Sequence, residues 1–298
     1  MTINIDANAV KELRQKTNAG IMDCKKALQE SNGEIAGAEE WLRKQGLSRA
    51  SSKSGRMTAE GIVAVAHTED QTKAVVIELN CETDFVARNE KFIELAKNLA
   101  SQAINFDEDA EAFLHHKVDS MTVHEHINNT IVVLGENITL RRISSMKAQD
   151  GKGVVFSYIH NAAAPGAGKI AAMVQLNTVV SPNNESLKQL GKKLAMHVAA
   201  ANPAAFSISD LDANLIQKEK EIFSEQAKQS GKPDNVIEKM VEGRVHKFYE
   251  EVVLLEQAFA LDGKTKVSTM VENTAKEIGS EVKLAGFIRY MVGEGIKE

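Results

Sequence analysis

The sequence of 298 residues predicts an α+β protein with antiparallel strands, and three observations predict it. Apolar positions recur at helical spacing through residues 1–46, and β-branched runs then come in pairs separated by short polar stretches. The hairpin-and-helix unit formed in this way occurs twice. Short connections join antiparallel strands, whereas parallel strands need crossovers of a dozen or more residues. Recurrence of a whole supersecondary unit reads as duplication.

Three short helices make up the opening. Asp6 caps a helix with Val10 and Leu13 on one face, and Asn18-Ala19-Gly20 breaks it. A second helix, 21–31, carries Met22, Ala27 and Leu28 and ends at Asn32-Gly33. The third, 34–45, carries Ile35, Ala38, Trp41 and Leu42 and stops at Gly46. Residues 47–56 are small, polar and basic without an apolar period, and read as a linker.

In the first copy, 61–66 and 74–79 are the hairpin strands and 89–103 the helix, with Phe92, Leu95 and Leu99 on its apolar face. In the second, Gly153-Val154-Val155 restarts the strand pattern, AAMVQLN at 171–177 matches AVVIELN at 74–80, and Leu187, Leu190 and Leu194 replace the three helix positions. The offsets of 92, 97 and 95 residues place five extra residues in the second hairpin loop and shorten its strand-to-helix turn by two. The longer first turn, Cys81 to Asn89, contains Asp84-Phe85-Val86; its counterpart, Thr178 to Asn183, has no acid–aromatic pair. Segment 107–128 is expected to be helical and 137–145 a strand. Charged helices over 209–255, joined by Gly231-Lys232-Pro233, predict an antiparallel helical hairpin, and 285–292 a last strand. These expectations divide the chain into 1–46, the linker, a first core repeat at 57–146, and a second at 147–208 and 256–284. The hairpin at 209–255 and a C-terminal module at 285–298 complete it.

Composition bounds the function. A net charge of −5 with only 14 aromatic residues argues against nucleic-acid binding, although the basic stretch Arg49 to Arg56 keeps an RNA-binding alternative in view. Two cysteines, Cys24 and Cys81, suit a reducing compartment, and no apolar run reaches membrane-spanning length, so a cytoplasmic protein without membrane contact is expected.

NAAAPGAGK, 161–169, ends like a phosphate loop. However, Ala163 stands where that motif needs glycine and Ile170 where it needs a hydroxyl, so a hairpin loop is favoured over a nucleotide-using enzyme. His115, His116, His124 and His126 lie close in sequence without a nearby cysteine, and a solvated surface is favoured over a zinc site. Neither cysteine has a neighbouring histidine as base, so no catalytic constellation and no cofactor are expected. Phe85 either packs into the core or meets a partner, and the adjacent apolar pair Ile21-Met22 leaves the same choice.

Several stretches, in order and at matching spacing, resemble bacterial translation elongation factor Ts. They are LRQKTNAGIMDCKKAL (13–28), ELNCETDFVARN (78–89), LAMHVAAANP (194–203), QSGKP (229–233), KMVEGR (239–244) and GFIRYMVGEGI (286–296). The resemblance implies a guanine-nucleotide exchange factor, not an enzyme, whose partner is the GTPase elongation factor Tu. It further implies a three-helix amino-terminal domain like ubiquitin-associated domains, two related α+β halves, a projecting hairpin and a small C-terminal module. In that family the loop matching Thr83, Asp84, Phe85 and Val86 enters the GTPase between two helices and disturbs its magnesium site. Leu13, Arg14, Ile21 and Met22 match further partner contacts; Ile21 replaces a methionine common at that place, with volume and apolarity roughly kept. The chain itself is then expected to bind no nucleotide, and the hairpin to be a candidate for self-association.

Overall fold

The computed structural model describes residues 5–296 apart from 18, 108, 150, 151, 230, 232 and 261, with backbone alone at 47–50. Helices α1 (Ala7–Thr17), α2 (Ile21–Glu30) and α3 (Ile35–Ser51) open the chain. Asp6 Oδ1 accepts the Asn8 N–H at the start of α1. The sequence break before α2 includes Asn18, outside the described residues. Asn32 and Gly33, both at positive φ, turn the chain after α2, and Gly33 N–H closes on Leu28 O at 2.7 Å. Leu13, Cys24, Ala27, Leu28 and Ala38 form the fully buried centre of this unit.

The expected stop at Gly46 and a linker from 47 differ from the structure, where α3 stays helical to Ser51. Gly46 is buried against α7 (Val123–Leu134), and a Cβ there would lie 3.1 Å from Val132 Cγ2. The glycine permits close approach between helices. Its intrinsic helix cost of about 1 kcal/mol is offset by packing.

One antiparallel sheet forms the core. Its strands are β1 (Glu60–His67), β2 (Lys73–Cys81), β5 (Ile138–Lys147), β6 (Val154–Ala164), β7 (Ala167–Asn177) and β8 (Lys283–Met291). They are ordered β5-β2-β1-β7-β6, with β8 also beside β7. Helix α5 (Glu90–Ala103) covers the first hairpin with Phe92, Leu95 and Leu99, and α8 (Glu185–Ala201) covers the second with Leu187, Leu190 and Leu194. The extra residues of the second hairpin do not enlarge its loop. They lengthen both strands up to a turn at Pro165-Gly166, and the protruding tip pairs with β1 through Val63–Gly168 and Ala64–Ala167. That tip joins the two copies into one sheet. Residues 283–291, expected to belong largely to a separate C-terminal module, run along β7 as part of it.

Segment 107–128 is only partly helical. Helix α6 (Ala110–His115) is followed by two-residue strands β3 (Lys117–Val118) and β4 (Met121–Thr122) before α7, where Thr122 and Glu125 form a capping box. Asp119 at positive φ supplies the intervening turn. Thr83 caps a single-turn helix, α4 (Asp84–Ala87), between β2 and α5. Helices α9 (Ala213–Lys228) and α10 (Asp234–Val252) pack together; of their connection, Ser230 and Lys232 lie outside the described residues. Helix α11 (Val267–Ile278) packs on α8. Among the described residues no helix is long and apolar enough to cross a membrane.

His197 of α8 is held in one tautomer: Nδ1 accepts the Ala260 N–H at 3.1 Å, so Nε2 carries the proton and donates to Gln257 Oε1 at 2.9 Å. Burial holds the imidazole below its ordinary 6.5, the Gln257 contact opposing. Its stabilising effect is therefore complete above about pH 6.5 and is lost as pH falls from there toward the folded value, because the unfolded chain takes up the proton first. Thermal melts should decline as pH falls below about 6.5, less steeply for His197→Gln. Parallel declines in the two proteins would remove His197 as the cause.

Candidate functional site

Backbone geometry sets the turn after β2. Thr83 is extended and its Oγ1 accepts the Val86 N–H at 3.4 Å, which starts α4. One helical turn then sends adjacent residues in different directions. Ala87 is buried and Val86 packs against the core, whereas Phe85 is 83% exposed. The choice left open by the sequence is resolved for this side chain, which the fold holds out into solvent. Asp84 Oδ2 meets Arg88 Nη2 at 3.0 Å on the open surface, an ion pair of little energetic weight.

The turn is tied to a distant segment. Thr83 donates its N–H to Glu136 Oε2 at 3.0 Å and its hydroxyl to Glu136 Oε1 at 2.6 Å. In return, the Asn137 N–H donates to Glu82 Oε1 at 2.6 Å. Nothing local in the sequence marks Glu136, which lies 53 positions from Thr83. Beneath the turn, the Cys81 thiol donates to Thr83 O at 3.2 Å. Burial, with the Glu136 carboxylate adding to it, pushes that thiol up to about 12, so it is not a nucleophile near neutral pH.

The duplicated turn is built similarly. Thr178 is buried and its Oγ1 accepts the Val180 N–H at 3.2 Å, leaving Val179 77% exposed. Aligning Thr83 with Thr178 in the two copies would have found Val179 as a second apolar residue of such a turn.

The remaining candidates separate clearly. Ile21 and Met22 are 55% and 75% exposed, and Arg14 is exposed. Leu13, expected among the partner contacts, is fully buried in the centre of the three-helix unit and cannot reach a partner without unfolding it. The stretch 161–169 is hairpin, and Lys169 Nζ is engaged by Glu60 Oε2 at 2.6 Å. His116 stacks on Phe113, His124 pairs with Asn128 and His126 with Val118 O. Among the described residues no three His, Cys, Asp or Glu side chains converge to hold a metal.

Fold and site together define an α+β scaffold that fixes apolar side chains outward at its surface. A family model described as Elongation factor TS matches residues 82–294. The elongation factor Ts of Brucella anthropi is 46% identical over 296 residues, covering 99% of this chain and 95% of that protein. Those of Rhodospirillum centenum and Sinorhizobium fredii are each 44% identical, over 99% of this chain and 94% and 95% of theirs. The chain belongs to the elongation factor Ts family of translation elongation factors.

Proposed function

We propose that the chain binds the GTPase elongation factor Tu in its GDP form and accelerates GDP release, so that GTP can rebind. Membership of the family supports this reading, and the single observation that carries it is Phe85 held out by a braced turn of the family's own sequence. Insertion of Thr83, Asp84, Phe85 and Val86 beside the partner's magnesium site disturbs the largest positive charge that neutralises the nucleotide phosphates, and nucleotide affinity falls. Burial of the Phe85 ring, worth on the order of 1.5–3 kcal/mol, offsets the distortion. Linkage requires that nucleotide weaken the factor in turn, which releases it after exchange. No covalent step and no cofactor on this chain enters the scheme, and its setting is the cytoplasm.

A second contact forms through Arg14, Ile21 and Met22 on the three-helix unit, read as ubiquitin-associated-like, whose buried centre holds Leu13. Changing Ile21 and Met22 together to Ala should weaken binding to the GTPase about tenfold to a hundredfold, the range of apolar anchors at protein interfaces. Stability should move by about 0.5 kcal/mol or less, as at other exposed positions. Intact binding in the double variant would remove the pair from the contact. The α9–α10 hairpin is the candidate surface for a second copy of the chain. The reading as a whole is tested by release of fluorescent GDP from elongation factor Tu on mixing with the chain. Nucleotide binding by the chain alone would favour the enzyme alternative, and an RNA affinity falling steeply with salt the third.

A further inference from the structure

The geometry points to Glu136 as a positioning residue for the contact turn: its carboxylate grips Thr83 at two points and so fixes where Phe85 is held. This rests on the exchange reading above and adds to it a residue outside the Thr83–Val86 segment.

Three observations carry the inference. The first is the two-point grip itself. One carboxylate oxygen takes the Thr83 N–H and the other takes its hydroxyl hydrogen, at 3.0 and 2.6 Å. With that hydrogen committed to Glu136, the free lone pairs of Oγ1 serve the Val86 N–H, the bond that winds α4. Glu136 therefore selects the hydroxyl rotamer that caps the helix beneath Phe85, and charge-assisted bonds are the strong ones for such a task.

The second is that the grip is reciprocal. Glu82, next to Thr83, accepts the Asn137 N–H, next to Glu136, at 2.6 Å. Two adjacent residues on each side exchange side-chain-to-backbone bonds, which leaves little freedom for the turn to slide along its neighbour.

The third is that Glu136 is itself pinned. Gly135, in the left-handed conformation that closes α7, takes Lys53 Nζ on its carbonyl. The Asn137 side chain, almost fully buried, donates to Arg56 O at 2.9 Å and Ser54 O at 3.4 Å. The chain leaving α3 is thus fastened to Gly135 and Asn137, the neighbours on either side of Glu136, so the carboxylate works from a fixed base. A group fixed in this way can determine a rate: misplacement of a reacting or inserting group by about 1 Å can cost a hundredfold.

The test uses the full chain with elongation factor Tu and fluorescent GDP. Glu136→Ala should lower the maximal release rate at saturating factor by about tenfold to a hundredfold, with a much smaller change in the factor concentration giving half the maximum. Glu136→Gln, which keeps the side-chain length and one acceptor oxygen for Thr83 but loses the charge and the second acceptor, should recover part of the rate. Amide hydrogen exchange over 82–87 should quicken in the alanine variant and less so in the glutamine variant. Unchanged exchange over 82–87 in Glu136→Ala overturns the inference, as does a glutamine variant as slow in GDP release as the alanine one. Phe85→Ala run in parallel separates the two claims. Slow release for it with normal release for Glu136→Ala defeats the positioning role alone. Normal release for both defeats the exchange reading, and amide exchange then decides whether Glu136 still fixes the turn.

Discussion

Phe85→Ala is expected to slow factor-stimulated GDP release by about tenfold to a hundredfold and to leave the protein as stable as before. The magnitude follows from the ring. Burying one such side chain is worth on the order of 1.5–3 kcal/mol, and each 1.4 kcal/mol is about a factor of ten in a rate or equilibrium. All of that energy is available to the complex because the free protein uses almost none of it, the side chain being 83% exposed. For the same reason the substitution opens no cavity. Thr83 still caps α4, Val86 and Ala87 still pack inward, and the stability change should stay within about 0.5 kcal/mol. Phe85→Leu, which keeps much of the apolar surface, should fall between alanine and the parent. Stopped-flow release of fluorescent GDP from elongation factor Tu checks the series. Parent-like release in the alanine variant would sink the insertion step, whatever the affinity measured.

The fold was legible where it depends on local pattern. The apolar faces of α5 and α8 follow from leucine and phenylalanine spacing alone, and the duplication aligns them directly. It was less legible where distant segments decide. A glycine after an amphipathic stretch reads as a helix end, but Gly46 is where α3 crosses α7, and only Val132 distinguishes the two. Five extra residues between two strands read as loop. They became strand because β1 offers an edge to the tip at Gly166 to Gly168, whose carbonyl and amide groups would otherwise lack partners.

Within the site, Asp84-Phe85 stood out because the second copy lacks the pair, but its exposure needed the direction of α4, which a four-residue helix does not announce. Leu13 shows the opposite limit. Its family match and its place on an apolar face pointed two ways, and packing among Cys24, Ala27 and Leu28 chose the core. Glu136 had no local signal, since a carboxylate after a helix-ending glycine is ordinary until Thr83 is brought against it.

The largest loss of stability is expected at Glu78, which belongs to neither proposed contact surface. This residue of β2 is fully buried, and its carboxylate accepts from Arg141 Nη1 at 3.1 Å, Arg142 Nε, Asn80 Nδ2 at 3.1 Å and the Gly293 N–H at 2.8 Å. The same two arginines reach the end of the chain: Arg141 donates to Glu294 O at 2.6 Å and Arg142 to Met291 O at 3.0 Å, with the Arg142 guanidinium 3.9 Å from the Tyr290 ring centre. One carboxylate thus ties β2 and β5 to β8 and the turn that follows it. Removing one partner of a buried pair costs about 3–5 kcal/mol, because the other charge stays behind uncompensated. Glu78→Ala should fall toward the lower end, since side-chain exposures of 28% and 29% let both arginines recover some hydration. Glu78→Gln, which keeps acceptors but not the charge, should lose less. Because the β7–β8 ladder does not depend on Glu78, amide exchange should quicken first at 293–296 and only later along β8. A melting temperature for Glu78→Ala equal to that of the parent would show that hydration of the arginines replaces the carboxylate.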